Sequence, residues 1–170
     1  MQGRKLAIIS TFLLFLIPQL EAQDSKLMAS YIYSFTQYVE WPSRYQDGEF
    51  IIGIYGESDI SGDLEKLIFN RKIKNQQVII KRFSSPDEIT RCHVAVISSK
   101  SWDDMERIVD KLKPYNTLII TKNSGCSKRG PGIGLITKDG KLSFELNRTN
   151  ILSKGMYIDN QINLMATTVF

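Results

Sequence analysis

The sequence has 170 residues, 42% of them apolar and 24% charged, with a formal net charge of +4. That is the size of one domain with a single sizeable core, and the charge is too small to mark a polyanion-binding protein. Two cysteines and one histidine fall short of the four N/S ligands that a structural zinc site takes.

Residues 1–22 read as an export signal. Arg4 and Lys5 precede a mostly apolar run from Leu6 to Ile17, and Leu20-Glu21-Ala22 offers a small-residue cleavage site. A membrane-spanning helix needs about 20 apolar residues, whereas this run is shorter and meets Pro18 and Glu21. The mature chain is therefore expected to start near Gln23 and to work outside the cytoplasm, with residues 23–170 as one domain. Cleavage takes two basic residues and one acidic residue from totals of 22 and 18, leaving +3.

The mature chain opens on an aromatic stretch, ASYIYSFTQYVEWPSRY (29–45), with six aromatic side chains in seventeen residues. Met28, Ile32, Phe35 and Val39 recur at helical spacing from Lys26 to Glu40, which makes them the core face of an amphipathic helix. Tyr31 and Tyr38 fall along one edge of that face and Tyr33 points away, so the aromatics do not converge on a cage. Pro42 disfavours a helical Trp41 and ends the element. Trp41 and Pro42 fit either core or surface, and a surface Trp41 would be a partner anchor.

FIIGIYG (50–56) has the β-branched, bounded character of a buried strand. DLEKLIF (63–69) follows as a helix, QVIIKRF (77–83) and HVAVISS (93–99) as strands, and Trp102 to Leu112 as a helix capped by Ser101, with Asp103 and Asp104 at its positive end. NTLIITK (116–122) is a further strand. The basic stretches FNRKIKNQ (69–76) and SKRG (127–130) read as solvated turns beside strands, not as a nucleic-acid surface.

The last third leaves this rhythm. Asp139-Gly140 joins two apolar runs and predicts an antiparallel hairpin over 133–147. A short helix over 148–155 follows, with Gly155 suited to the position after its end, and residues 157–170 are expected to form a closing helix that buries Ile162 and Met165. The fold class is α/β: a single layered domain with a mostly parallel central sheet, flanking helices and a C-terminal antiparallel hairpin.

The helix ending in YSFTQYVEWP, then FIIGIYG, CHVAVISS, GIGLI and LSFELN, together resemble the YfiR-like family of small periplasmic proteins across nearly the whole mature chain. The resemblance implies a periplasmic location and a non-catalytic regulator that binds the periplasmic part of an inner-membrane signalling protein, such as a diguanylate cyclase or a sensor kinase. The motifs and the small charge lead to no expected cofactor and no nucleic-acid partner, and a homodimer is left open. The alternative is a periplasmic small-molecule binder using the crevice at the carboxyl ends of the strands.

Catalytic residues are not expected. His93 stands beside Cys92 at the start of a strand, where neighbours point to opposite faces, so a Cys/His nucleophile pair and an adjacent-ligand metal site both fail. The glycines of GPGIG (130–134) do not fit a dinucleotide fingerprint in spacing or context. Two cysteines in an exported chain suggest a disulfide, and some YfiR-like relatives carry two bridges. Here Cys92 precedes one strand and Cys126 follows the next. In parallel strands these are opposite ends, roughly 17–20 Å apart, against the about 7 Å a bridge allows between Cα atoms. No Cys92–Cys126 bridge is therefore expected.

Overall fold

Helix α1 (Ile17–Tyr38) lays Met28, Ala29, Ile32 and Phe35 against the sheet, all buried. In the computed structural model the backbone is described for residues 17–56, 60–98, 101–122 and 125–170, and the side chains of all these except 17–23 and 126–127. Most of the expected export signal lies outside the described residues. The helix stops at Tyr38, two residues earlier than the apolar spacing suggests, because the next residues find another partner. Val39–Glu40 (β1) pairs antiparallel with Tyr157–Ile158 (β9), and the Asp159 N–H donates to the Tyr38 carbonyl at 2.9 Å. Val39 is still fully buried, now from a strand.

The main sheet is built from β2 (Phe50–Tyr55), β3 (Lys72–Ile73), β4 (Gln76–Phe83), β5 (Val94–Ile97), β6 (Leu118–Thr121), β7 (Ile133–Lys138), β8 (Lys141–Leu146) and β10 (Thr168–Val169), in the order β10-β8-β7-β6-β5-β2-β4-β3. The five strands β4, β2, β5, β6 and β7 run parallel. Their period of two separates two apolar layers. Ile52, Ile54, Val94, Val96, Leu118 and Ile120 join the cluster under α1 and α2 (Ile60–Ile68), which adds Ile60, Leu64 and Ile68. Tyr55, Ala95, Ile97 and Ile119 face α3 (Trp102–Lys111), which supplies Met105 and Ile108. Burial on both faces is what a parallel sheet requires, and it explains why these strands read as continuous apolar runs.

Ser101 caps α3 as expected, its Oγ accepting from the Asp104 N–H at 3.3 Å. Asp139 (φ 51°) and Gly140 (φ 71°) make the turn between β7 and β8 with both residues left-handed, the hairpin geometry that an Asp-Gly pair suits. Helix α4 (Arg148–Ser153) ends before Gly155 at φ 69°. The stretch FNRKIKNQ holds more than a turn. Lys72–Ile73 pairs back on Gln76–Gln77 through Lys74 and Asn75 at φ 47° and 74°.

The expected closing helix over 157–170 is not formed. The chain makes β9, a 3-10 turn at Asn160–Leu164 and β10. Asp159 caps the turn through the Gln161 N–H at 2.8 Å, and Thr167 and Phe170 donate to Phe144 and Leu146 carbonyls. Sheet hydrogen bonds at both ends leave no room for four helical turns. Ile162 is fully buried as expected, but Met165 is 47% exposed.

Candidate partner surface

His93 is the only histidine, and it sits in a buried aromatic nest. Its ring stacks on Phe50 at 4.3 Å and meets Trp41 and Tyr45 edge-on. The Ile51 N–H donates to Nδ1 at 3.0 Å, so the ring proton is on Nε2, which donates to the Tyr45 carbonyl at 2.8 Å. Both nitrogens are used by backbone, which leaves none for a proton relay or a metal. Burial holds the imidazole below its usual pKa, and Arg91 lowers it further, against the raising effect of the Tyr45 hydrogen bond.

Cys92 is a free, buried thiol, and burial pushes its pKa up to about 12. A thiol in that state is not a nucleophile near neutral pH. The Cys126 side chain lies outside the described residues, so the absence of a Cys92–Cys126 bridge remains an expectation. The topology keeps the two backbone positions at opposite ends of parallel neighbours, Cys92 before β5 and Cys126 after β6. Asp104 accepts from the Tyr55 hydroxyl at 2.7 Å, besides its place in the α3 cap. Among the described residues no group of three His, Cys, Asp or Glu could hold a metal ion.

Trp41 is a core side chain, only 5% exposed, with Nε1 donating to the His93 carbonyl at 3.2 Å and its ring edge-on to Phe50. Its indole is therefore not on offer as a surface anchor. Pro42 beside it is half-buried. A Trp-Pro pair ends a helix in the same way whether the ring turns inward or outward, so the local sequence does not decide the place of Trp41.

Exposed apolar surface gathers instead on the segment after α4. Tyr157 is 53% exposed, Leu164 90%, Met165 47% and Val169 42%. The segment is held from beneath by Ile158 and Ile162, both fully buried, and by the edge pairing of β10 on β8. The closing segment thus keeps Ile158 and Ile162 in the core and leaves four large apolar side chains in solvent, and exposed apolar side chains are the material from which protein-binding patches are built. A helix over 157–170 would have buried Met165. The adjacent pair Leu164-Met165 was the available signal, because a helix face that buries Ile162 and Met165 turns Leu164 away.

The carboxyl ends of β2 and β4 border a cavity of about 390 Å³ lined by Ile54, Tyr55, Gly56, Ser61, Arg82, Phe83 and Ser84. It lies outside the carboxyl ends of parallel strands, but between β2 and β4 and not between β2 and β5, where the strand order reverses and an open α/β sheet most often holds a ligand. Its strongest polar groups are already engaged: Tyr55 with Asp104, and Arg82 with Glu65 at 2.7 Å.

Residues 25–167 match the family described as DUF4154, YfiR/HmsC-like, and the chain belongs to that family. The family is one of periplasmic regulatory proteins, associated in general with cyclic-di-GMP signalling. No curated protein matches the chain. Among solved structures, one described as the ABC domain in complex with L-Trp from Streptococcus pneumonia is 12% identical with a TM-score of 0.48, covering 71% of this chain and 55% of that one. The chain thus spans about half the length of that protein, and a likeness so slight carries no weight for fold or ligand.

Proposed function

We propose that this member of the YfiR/HmsC-like family is a non-catalytic periplasmic regulator that binds the periplasmic part of an inner-membrane signalling protein, a diguanylate cyclase or a sensor kinase, and represses or tunes its output. The observation that carries the reading is the outward apolar strip of Tyr157, Leu164, Met165 and Val169 on a segment whose inner side is fixed in the core. Regulation then needs no chemistry. A protein that binds the inactive receptor conformation about 100-fold better than the active one shifts that equilibrium by about 2.7 kcal/mol, and dissociation releases it.

The test uses the mature chain bearing an affinity tag, recovered from native membranes together with what it holds, and compares it with Leu164→Asp and Met165→Asp. Both sites are exposed enough that folding stability should stay within about 0.5 kcal/mol. One membrane signalling protein retained by the parent chain and lost from both variants is the expected result, with altered cyclic-di-GMP or kinase output in cells carrying them. Equal retention by the parent and both variants would remove the strip from the mechanism.

The cavity at the carboxyl ends of β2 and β4 supports a second reading, a small-molecule binder. A ligand-dependent rise in Tm without any partner, abolished by Arg82→Ala, would favour it.

A further inference from the structure

The opposite edge of the sheet from β10 is open. Strand β4 pairs with β2 from Val78 to Phe83 on its inner side, but on its outer side β3 covers only Gln76 and Gln77. Among the described residues, no turn or loop backbone hydrogen bond reaches residues 78–83. Six residues, a full strand length, thus present alternate N–H and C=O groups outward. Such an edge is a template for another strand unless something blocks it.

The two faces beside this edge differ in chemistry. Along the open edge beside α2 runs a groove of about 400 Å³, lined by Glu65, Ile68, Phe69, Val78, Ile79 and Ile80 among others, with Val78 and Ile80 facing α2 and Ile79 reaching it across the edge. Phe69 in it is 75% exposed. The other face carries Ile79 and Lys81, and also Lys72, which shares that face because it pairs with Gln77. Arg82 has Glu65 and Lys74 has Glu40 as carboxylate partners, whereas no ion pair among the described residues engages Lys72 or Lys81.

We propose that this edge accepts an extended segment of another protein whose residues alternate between apolar and acidic. Its backbone completes the open ladder, its apolar side chains enter the groove beside Phe69 and Ile80, and its carboxylates lie over Lys81 and Lys72. Lys81 also selects against a second copy of this chain, since pairing β4 with itself would bring Lys81 of both copies onto one ribbon. The proposal is independent of the strip at residues 157–169.

The probe is an eight-residue capped peptide alternating valine and glutamate, titrated into the isotope-labelled mature chain at low salt. Shifts and slowed exchange of the backbone amides of residues 78–83 are expected at millimolar peptide. Lys81→Glu should weaken binding at least 10-fold and Phe69→Ala about 3-fold, while a peptide N-methylated at alternate residues should not bind. A lysine-containing counterpart that binds equally well, an N-methylated peptide that binds as tightly, shifts confined to other residues, or no shifts at all would each overturn the proposal. Both substituted side chains are exposed, and unchanged urea midpoints confirm that the variants fold.

Discussion

Acidification from pH 7.5 to 5 should destabilise the protein through one group. Neutral His93 accepts the Ile51 N–H on Nδ1 and donates from Nε2. A proton added to Nδ1 turns that acceptor into a donor, breaks the bond at 3.0 Å and leaves a buried N–H facing a buried charge. No carboxylate is among the groups that act on the ring, and the nearby charge that does, Arg91, is repulsive. The folded state therefore binds this proton less readily than the unfolded chain, whose histidine has a pKa of about 6.5. Stability is full above that value and falls as pH drops from about 6.5 toward the lowered folded pKa, with a slope of at most about 1.4 kcal/mol per pH unit. The total loss is set by one broken bond and an orphaned buried donor, about 1–3 kcal/mol.

Urea unfolding between pH 5 and 7.5 reads this window cleanly, because the chain has no other histidine and ordinary carboxylates titrate near pH 4. The comparison is His93→Gln, whose amide can accept from Ile51 and donate to Tyr45 without titrating. It should lose about 1–3 kcal/mol at pH 7.5 through the missing ring packing, yet show a flat profile to pH 5. A parent chain equally stable at pH 5 and 7.5, or a His93→Gln profile as steep as the parent's, would refute the assigned role of the ring.

Trp41→Phe should cost about 1–3 kcal/mol in urea unfolding at pH 7.5, through the lost Nε1 bond to the His93 carbonyl and poorer packing on Phe50; a neutral substitution would place the indole at the surface after all. Titration of the unreduced, denatured mature protein should find two reactive thiols, whereas native Cys92 should resist alkylation at pH 8 because its pKa is about 12. Finding neither thiol in monomeric protein would mean that the two cysteines are bridged. Binding of the membrane partner through the apolar strip should change little between low and physiological salt, so a collapse of affinity over that range would point to a charged surface instead.

Much of this protein was legible in its sequence because local rules and burial agreed. The helix face of Met28, Ile32 and Phe35, the Ser101 cap, the Asp139-Gly140 hairpin and the apolar strands of a parallel sheet each follow from spacing and turn chemistry within a few residues. The exclusion of a Cys92/His93 pair also follows locally, from two neighbours at the start of an apolar run. The features that bear on partners were decided elsewhere. Whether Trp41 turns inward depended on a carbonyl 52 residues away. The closing segment did not become a helix because β1 paired with its start and the Phe144 and Leu146 carbonyls with its end, and this left Met165 exposed. The open edge of β4 exists because β3 is only two residues long, and a strand's neighbours on a sheet are chosen by pairing across the fold. Periodicity along a chain determines which residues need burial; only the tertiary arrangement determines which backbone edges and apolar side chains are left without a partner, since that depends on groups distant in sequence competing for the same surface.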